Sequence, residues 1–525
     1  MRREAIGVSC LLASLAIACA GKATGGPRSA SGGTSGSGGV NSSGGTGGAS
    51  SGGASGGGQS NDGGPQDSGG ASGAGGAIAD AGLPDACTFQ IDVAPSPAIP
   101  TVGVVNWAVS LANLTEARID FTLNDPAPGT INVGSGGEIS VTGITHRALL
   151  LGMKAQHTYT YRIVAQAGST TCTSPDQSFT TGPSTGAPTV NRTAMNPAAQ
   201  ARGFIITSDG FQGGGGWGDA YIIDSDGDVV WWAPSPPLCS RALMDWEGQN
   251  MWMVNTNTTL GSGSSVIVNG GEVTSVSMDG TGMTVLGPPD PYNFAHHDLT
   301  VLPGGVVAFL IWQQQISTAS TLVERSPDGS TRTVATLDAT TLGPSKAVFH
   351  ANSLMYHPTD DTYTVSDLDA QVYAKLSRQG QVLWQFRQDC TGSVAPKCAA
   401  SKNITNNHGH HLLDDGHFLF FSAASITSAP VYEYVLTETA TALTADLAWS
   451  YTAEGVGSDV LGDIQRLPNG NTLIDYCRHG ELRELSPSGD VVQLIDATGP
   501  GAPANGLYTF GYFNFRPTLY GPPLR

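Results

Sequence analysis

The chain has 525 residues, of which 71 are glycine and only 13% are charged, and its formal net charge is −19. Because the chain is acidic, it lacks the basic surface that binds nucleic acid. For the same reason it is not expected to bind an anionic membrane surface electrostatically. The length exceeds that of a single core and predicts several domains. Abundant Gly, Ser, Thr and Val disfavour a helical bundle and suit strands and turns. We therefore expect an all-β protein.

The N-terminus has the features of a signal peptide. Arg2 and Arg3 precede an apolar run over residues 5–18. As a helix this run would be about 21 Å long, whereas the hydrocarbon core of a bilayer is ~30 Å thick. It therefore predicts a signal peptide over residues 1–19 rather than a permanent membrane span. Cys19 follows it as in a bacterial lipobox, which predicts a lipid anchor in the cell envelope, at the outer membrane or the periplasmic face. Residues 16–18 also suit ordinary cleavage, so simple secretion is the alternative.

A linker and a small β domain come next. Residues 20–85 are rich in Gly and Ser and predict a disordered tether, because such a segment cannot bury enough apolar surface to fold. Residues 86–184 alternate apolar and polar side chains between turn signals, which predicts an antiparallel β-sandwich. The stretch 152–163 resembles part of a fibronectin type III domain, with Tyr159 as its corner tyrosine.

Six cysteines remain after those of the signal region, and an even number fits disulfides in an oxidising compartment. No CxxC pair is present, so a cysteine-based metal site is not indicated. The expected disulfides join Cys390 to Cys398, Cys87 to Cys172 and, as the remaining pair, Cys239 to Cys477.

Residues 185–525 contain an internal repeat. One glycine-containing turn recurs at residues 224–227, 278–280, 327–329, 378–380 and 487–489, with a missing member near Thr437. A second turn alternates with it at residues 247–248, 304–305, 360–361, 415–416 and 469–470. A unit of about 50–57 residues with several short strands is typical of a propeller blade, and the chain holds six of them. A solenoid is the alternative, but hairpin turns bound the strands and no polar capping repeat is visible.

Histidines recur at one phase of this repeat. His297, His350 and His408 each stand just before the second turn of successive units, where the second unit has Arg241 and the sixth has Asp463. Because inner strands of a propeller converge on its axis, we expect these side chains to meet in one cavity. Further candidates near this phase are His296, Asn352, His411 and Arg478. His357, His417 and His479 fall off the phase, so we expect them to have no functional role.

Three interpretations of the histidines are open. They could be inherited polar residues at the mouths of inner strands. They could form a metal centre, with Asp298 and Asp463 orienting the imidazoles. They could also perform nucleophilic and acid–base chemistry on an anionic group, which is a common use of histidine near neutral pH.

Four segments of the repeat, taken in order, resemble bacterial aryl-sulfate sulfotransferases: residues 296–305, 349–353, 407–416 and 462–472. The resemblance covers about residues 86–520 and implies a small β-sandwich followed by a six-bladed propeller. It also implies transfer of a sulfuryl group from an aromatic sulfate ester to a phenol through a sulfohistidine, without a nucleotide donor or another cofactor. His408 matches the nucleophile, and His297 and His350 match the histidines that stabilise the sulfuryl oxygens and move the phenolic proton.

The chain departs from this family at one catalytic position. The family has an arginine shortly after the second histidine motif, where this chain has Asp367 or Leu368, depending on the register. Neither side chain can bind a sulfate oxygen as a cation does. We expect Arg241 or Arg478 to take that role if the chain is a sulfotransferase. Otherwise the propeller binds a different ligand or a partner without catalysis, or holds a metal on its histidines.

Overall fold

In this computed structural model the described residues are 87–121, 123, 139–142, 146–209, 218–235, 239–255, 258–261, 264–267, 271–286, 294–312, 319–345, 349–498 and 510–523. The predicted signal peptide, the lipidation candidate Cys19 and the linker of residues 20–85 lie outside them. Within these ranges there is no helix with the length and hydropathy that a bilayer crossing requires.

The first folded segment is the predicted β-sandwich. Its strands are β1 (Phe89–Pro95), β2 (Gly103–Val109), β3 (Glu116–Phe121), β4 (Ile139–Thr142), β5 (Arg147–Leu150), β6 (Thr158–Ala167), β7 (Thr170–Thr173) and β8 (Gln177–Thr180). One sheet has the order β1–β2–β5, and the other has the order β4–β3–β6–β7 with β8 also paired to β6. The Tyr159 hydroxyl accepts a hydrogen bond from the Lys154 N–H at 2.9 Å, as expected of a corner tyrosine. The predicted disulfide between Cys87 and Cys172, within this domain, is confirmed.

Short strands make up most of the remaining described chain. They are β9 (Thr189–Ala194), β10 (Phe204–Ser208), β11 (Gly218–Asp224), β12 (Val229–Ser235), β13 (Cys239–Met244), β14 (Asn250–Asn255), β15 (Thr258–Gly261), β16 (Ser264–Ile267), β17 (Glu272–Ser277), β18 (Met283–Leu286), β19 (Ala295–Leu302), β20 (Val306–Trp312), β21 (Ser320–Arg325), β22 (Thr331–Leu337), β23 (Ala351–His357), β24 (Thr362–Asp367), β25 (Val372–Ser377), β26 (Val382–Arg387), β27 (Cys398–Ala400), β28 (Asn407–Leu412), β29 (His417–Ser422), β30 (Val431–Glu438), β31 (Leu443–Tyr451), β32 (Asp463–Arg466), β33 (Thr472–Tyr476), β34 (Glu481–Leu485), β35 (Val491–Thr498) and β36 (Asn514–Arg516). A one-turn helix, α1 (Ala339–Leu342), begins after the capping residue Asp338.

These strands form the six blades that the repeat predicts. From the inner to the outer strand, the blades are β36–β10–β11–β12, β13–β14–β17–β18, β19–β20–β21–β22, β23–β24–β25–β26–β27, β28–β29–β30–β31 and β32–β33–β34–β35–β9. Strands β15 and β16 form a separate hairpin between strands of the second blade. Apolar side chains between neighbouring sheets, such as Phe309, Val365 and Phe420, are fully buried. The core therefore lies between the blades and leaves the axis to polar residues.

Both ends of the repeat region close the ring. Strand β9, which precedes the first blade, pairs with β35 at the outer edge of the sixth blade. Strand β36, near the C-terminus, pairs with β10 at the inner edge of the first blade. The alternative of an open solenoid is therefore wrong.

Two of the three predicted disulfides are present and one is not. Cys390 and Cys398 are bonded, whereas Cys239 and Cys477 are buried and are not joined by a disulfide. Residues 510–513 run between the second and sixth blades and separate the two thiols. There the Phe510 N–H donates to the Cys477 carbonyl at 3.2 Å, and the Tyr512 N–H donates to the Ser240 carbonyl at 2.9 Å. The predicted Cys239–Cys477 disulfide is therefore wrong.

Candidate active site at the propeller axis

The inner strands of four successive blades are irregular at the same end. The ladder of each inner strand shifts register between Cys239 and Arg241, between His296 and Leu299, between Ala351 and Ser353, and between Asn407 and His410. A β-bulge adds a residue to one strand and re-aims the side chains around it. The candidate residues therefore lie at these bulges, near the N-terminal ends of the inner strands.

Histidines from two blades are in direct contact at this end. The His297 Nε2 lies 3.0 Å from the His350 Nε2, and the His297 Nδ1 lies 2.9 Å from the His296 Nδ1. The His296 Nε2 in turn lies 3.3 Å from the Ser320 Oγ. His297 has a positive φ of 55°, a conformation that non-glycine residues rarely adopt and that is common at functional sites. His297 therefore faces His350, while His296 lies behind it.

His408 comes from the next blade and has a fixed tautomer. Its Nδ1 is 2.9 Å from the Asn406 carbonyl oxygen. Because a carbonyl oxygen can only accept, Nδ1 carries the proton of the neutral ring, and Nε2 keeps its lone pair. His408 is close enough to His297 and His350 to affect their titration electrostatically. We call His296, His297, His350 and His408 the histidine cluster.

All four imidazoles of the histidine cluster are neutral near neutral pH. Burial lowers the pKa of His408 to about 4. Burial and the charge of His408 lower the pKa of His350 to about 4. Burial, with the neighbouring imidazoles, also holds the pKa values of His296 and His297 well below the usual range. Neutral rings can act as nucleophiles and bases, whereas a bound anion would favour their protonated forms.

Trp312 adds an aromatic wall and a hydrogen-bond donor to the histidine cluster. Its ring centre lies 4.6 Å from that of His296 and 6.2 Å from that of His350. Its buried Nε1 has no acceptor among the described residues. A buried N–H without a partner costs free energy unless a ligand accepts from it. Sequence reasoning gave Trp312 no hydrogen-bonding role, because its position at the end of β20 is equally typical of packing between blades.

Arg241 does not have the role expected of it. Its Nε and Nη2 donate to Asp298 at 2.7 and 3.1 Å. Its Nη1 donates to Asp463 at 2.9 Å and to the Phe513 carbonyl at 2.6 Å. Four of its five N–H groups are thus used within the protein, and its charge is paired with two buried carboxylates. We call Arg241, Asp298 and Asp463 the Arg241 layer, which links three blades instead of offering a cation to a sulfate group.

Asp367 and Leu368 are the residues at the position where aryl-sulfate sulfotransferases have an arginine. The Asp367 Oδ1 accepts from the Ala370 N–H at 2.8 Å, and burial raises the pKa of Asp367 to about 7. The Leu368 N–H donates to the His350 carbonyl at 3.1 Å. Neither residue provides a positive charge. Arg478 remains as a cation candidate: it is about half exposed and its Nη1 is 3.1 Å from Asp459, whose charge acts on His408.

Two other candidates lie outside the histidine cluster. Asn352 is fully buried, and its Nδ2 donates to the Asn407 carbonyl at 2.8 Å, so it joins the fourth and fifth blades. His411 lies towards the opposite end of its strand and lines a different cavity. Within the described part of the chain, no group of three or more His, Cys, Asp or Glu side chains has an arrangement that could hold a metal ion.

Comparisons with known proteins do not identify a family. No family model and no curated protein matches the chain. Similar solved structures include a protein of unknown function from Bacteroides caccae, with 14% identity, a TM-score of 0.38, and coverage of 60% of this chain and 98% of that one. A catalytically inactive virginiamycin B lyase from Staphylococcus aureus with quinupristin has 10% identity, a TM-score of 0.34, and coverage of 58% and 88%. A putative 6-phosphogluconolactonase from Bacteroides uniformis has 9% identity, a TM-score of 0.36, and coverage of 60% and 100%. Similarities of this size say nothing about the substrate.

Proposed function

We propose that the protein transfers a sulfuryl group from an aromatic sulfate ester to a phenol, with His408 as the nucleophile. The observation that carries the proposal is the state of His408. Its Nδ1–H is held by the Asn406 carbonyl, so its Nε2 lone pair is available beside two other histidines. The motif resemblance supports the choice of a sulfuryl group over other electrophiles.

In the first half-reaction the His408 Nε2 attacks the sulfur atom, the bond from sulfur to the aryl oxygen breaks, and a phenolate leaves. The sulfated imidazole ring becomes positively charged. The hydrogen bond from its Nδ1–H to the Asn406 carbonyl favours that charge. Binding of the anionic ester favours protonation of the pair formed by His297 and His350, so the pair takes up one proton from solvent as the ester binds and passes it to the departing oxygen.

In the second half-reaction the acceptor phenol gives its proton to the same pair, and its oxygen attacks the sulfur. The bond between sulfur and His408 breaks, which restores the neutral ring. The His297–His350 contact of 3.0 Å lets one proton be shared between two bases, as general acid–base catalysis in both directions requires. The free N–H of Trp312 is available to a sulfuryl oxygen.

One observation favours a second function. The position of the family arginine holds Asp367, and Arg241 is already paired inside the protein. Without a cation at the sulfuryl oxygens, the histidine cluster would bind a ligand without catalysis. The predicted lipid anchor on Cys19 in the cell envelope also remains a proposal, which mass spectrometry of the mature N-terminus would test.

Incubation with a chromogenic phenyl sulfate, with and without an acceptor phenol, separates these functions. Release of the chromophore only with acceptor supports transfer. Release without acceptor indicates hydrolysis. Binding of the ester without release indicates a non-catalytic propeller. The matched control is His146→Asn, because His146 is exposed on the β-sandwich and should leave every rate unchanged.

A further inference from the structure

Two polar side chains beside the pair of His297 and His350 have no role in the proposed transfer. His296 is 1% exposed and Ser320 is fully buried. The His296 Nδ1 lies 2.9 Å from the His297 Nδ1, and the His296 Nε2 lies 3.3 Å from the Ser320 Oγ. Both nitrogens of the His296 ring are therefore paired within the protein, one of them with a residue that the mechanism uses.

The backbone is bent in a way that brings the rings of His296 and His297 together. Successive side chains of a strand normally point to opposite faces of the sheet. Here the ladder between β19 and β20 shifts register between His296 and Leu299, His297 has a φ of 55°, and the two ring centres are 5.0 Å apart. Because a left-handed conformation costs a non-glycine residue free energy and is concentrated at active sites, this contact is not a by-product of regular strand packing.

The contacts continue into a chain of four side chains. The His350 Nε2 is 3.0 Å from the His297 Nε2, so the order is His350, His297, His296 and Ser320. A neutral imidazole donates from one nitrogen and accepts at the other. The hydrogen bonds therefore all run in one direction, either towards Ser320 or away from it, and the Ser320 hydroxyl can serve as acceptor or as donor. We call these four residues the His–Ser chain.

His296 is the acceptor for the second N–H of a protonated His297. When His297 carries the extra proton of the pair, both of its nitrogens are donors, and its Nδ1–H has the His296 Nδ1 as acceptor. In Ser-His-Asp triads a carboxylate has this place. In the described part of the chain, no carboxylate is among the charges that act on His296 or His297. Because a neutral acceptor stabilises an imidazolium less than a carboxylate does, His297 stays acidic enough to give the proton up again.

We propose that His296 and Ser320 are positioning residues for proton transfer by the pair of His297 and His350. His296 accepts from the Nδ1–H of His297 when that ring is protonated, and Ser320 accepts from the Nε2–H of His296. One proton enters the pair as the ester binds and leaves on the departing aryl oxygen, so His296 and Ser320 neither gain nor lose a proton over the step. This inference rests on the proposed sulfuryl transfer, to which it adds two residues of the same site.

The dependence of the rate on the leaving group tests this role. A departing phenolate needs a proton, whereas a nitrophenolate is a much weaker base and leaves without one. In His296→Leu, which has no acceptor for His297, we expect the first half-reaction with phenyl sulfate to slow by about tenfold or more, and that with nitrophenyl sulfate to slow by less than about threefold. A change that only disturbed packing would slow both esters alike. Rapid-mixing measurement of phenol release in the full-length protein gives both rates.

Three further variants complete the comparison. His296→Asn places an amide oxygen near the Nδ1 position and should restore much of the rate with phenyl sulfate. Ser320→Ala keeps the His296 ring but removes its acceptor, so it should give the same selective loss to a smaller extent. His357→Leu is the matched control, because His357 is also a buried histidine in contact with a hydroxyl, that of Thr364 at 2.8 Å, but lies outside the histidine cluster. It should not change the ratio of the two rates.

The outcomes separate this inference from the proposed function. The inference is overturned if the wild type transfers the sulfuryl group and His296→Leu slows both esters equally or slows neither. If the wild type transfers nothing, the proposed function fails, and NMR of the histidine ring nitrogens without any ester tests the His–Ser chain alone. His296→Leu should then shift the ring nitrogens of His297 and His350, and Ser320→Ala should shift those of His296. Unchanged ring shifts in both variants would overturn the chain.

Discussion

The Nε2 atoms of His297 and His350 lie 3.0 Å apart, although the two residues belong to different blades. Only one proton fits between two neutral rings at this distance, so the pair acts as one site for taking up and returning a proton. We expect His350→Asn to lower kcat for sulfuryl transfer by about 10²–10⁴-fold, with a smaller effect on KM. Stopped-flow measurement of both half-reactions would check this, and an unchanged kcat would remove His350 from the mechanism.

The pH dependence follows from the direction of the histidine pKa shifts. Burial lowers the pKa of His408 from 6.5 to about 4, so the nucleophile stays neutral well below the usual titration range of histidine. We expect the rate of the first half-reaction to fall only as the pH approaches about 4. A fall centred near pH 6.5 would show that His408 titrates as an exposed histidine and would contradict its buried, neutral state.

The same shifts affect the stability of the fold. Between the unfolded pKa of 6.5 and the folded pKa of about 4 for His350, His408 and His411, the unfolded chain binds more protons than the folded one. The free energy of unfolding therefore decreases as the pH falls through this window, and these residues add no further loss below it. Urea denaturation at a series of pH values measures this. In His411→Phe the slope should be smaller, because one titrating group is removed.

Arg241 should affect stability rather than the binding of sulfate oxygens. Arg241→Ala leaves the buried Asp298 and Asp463 without their cation, and we expect a loss of about 3–5 kcal/mol in the free energy of unfolding. Adding Asp298→Asn to that variant should recover part of the loss. Chemical denaturation of both variants measures the effect. A fully stable Arg241→Ala protein with no transferase activity would instead support a role at the sulfuryl group.

Trp312 offers a test of the free indole N–H. Trp312→Phe keeps an aromatic ring and removes a donor that has no acceptor among the described residues. We expect kcat/KM for an aryl sulfate to fall by about tenfold, while the free energy of unfolding does not decrease, because no internal hydrogen bond is lost. If thermal unfolding shows a large loss of stability instead, the indole N–H has a structural acceptor.

The repeat period made much of the fold predictable. The alternating turns gave six blades, and the common phase of His297, His350 and His408 predicted their convergence, because propeller geometry turns equal phase into nearness at the axis. Tyr159 followed from the resemblance to a fibronectin type III domain, the Cys390–Cys398 disulfide from its short spacing, and the Cys87–Cys172 disulfide from the way its two residues bracket the domain. The blade count and the convergence of the histidines needed only the period of the repeat.

The sequence could not show how deep along the propeller axis each candidate side chain lies. It also could not show which hydrogen-bond donors are already used within the protein. Arg241 has the same phase as the histidines, yet its N–H groups are taken by Asp298 and Asp463, which only the packed structure shows. His411 is three residues from His408 but lies on the far side of the Arg241 layer. The pairing of Cys239 with Cys477 was predicted only because these two cysteines were left after the other two pairs. It was wrong because residues 510–513 separate the two thiols.

The sulfated intermediate provides the most direct test of the central claim. The protein would be mixed with an aryl sulfate in the absence of an acceptor, digested at a pH that preserves N–sulfo bonds, and examined by mass spectrometry. We predict a sulfuryl adduct on the peptide that carries His408, which disappears when a phenol is added and is absent in His408→Ala. Turnover of the ester with the adduct on another residue, or undiminished turnover in His408→Ala, would contradict the account.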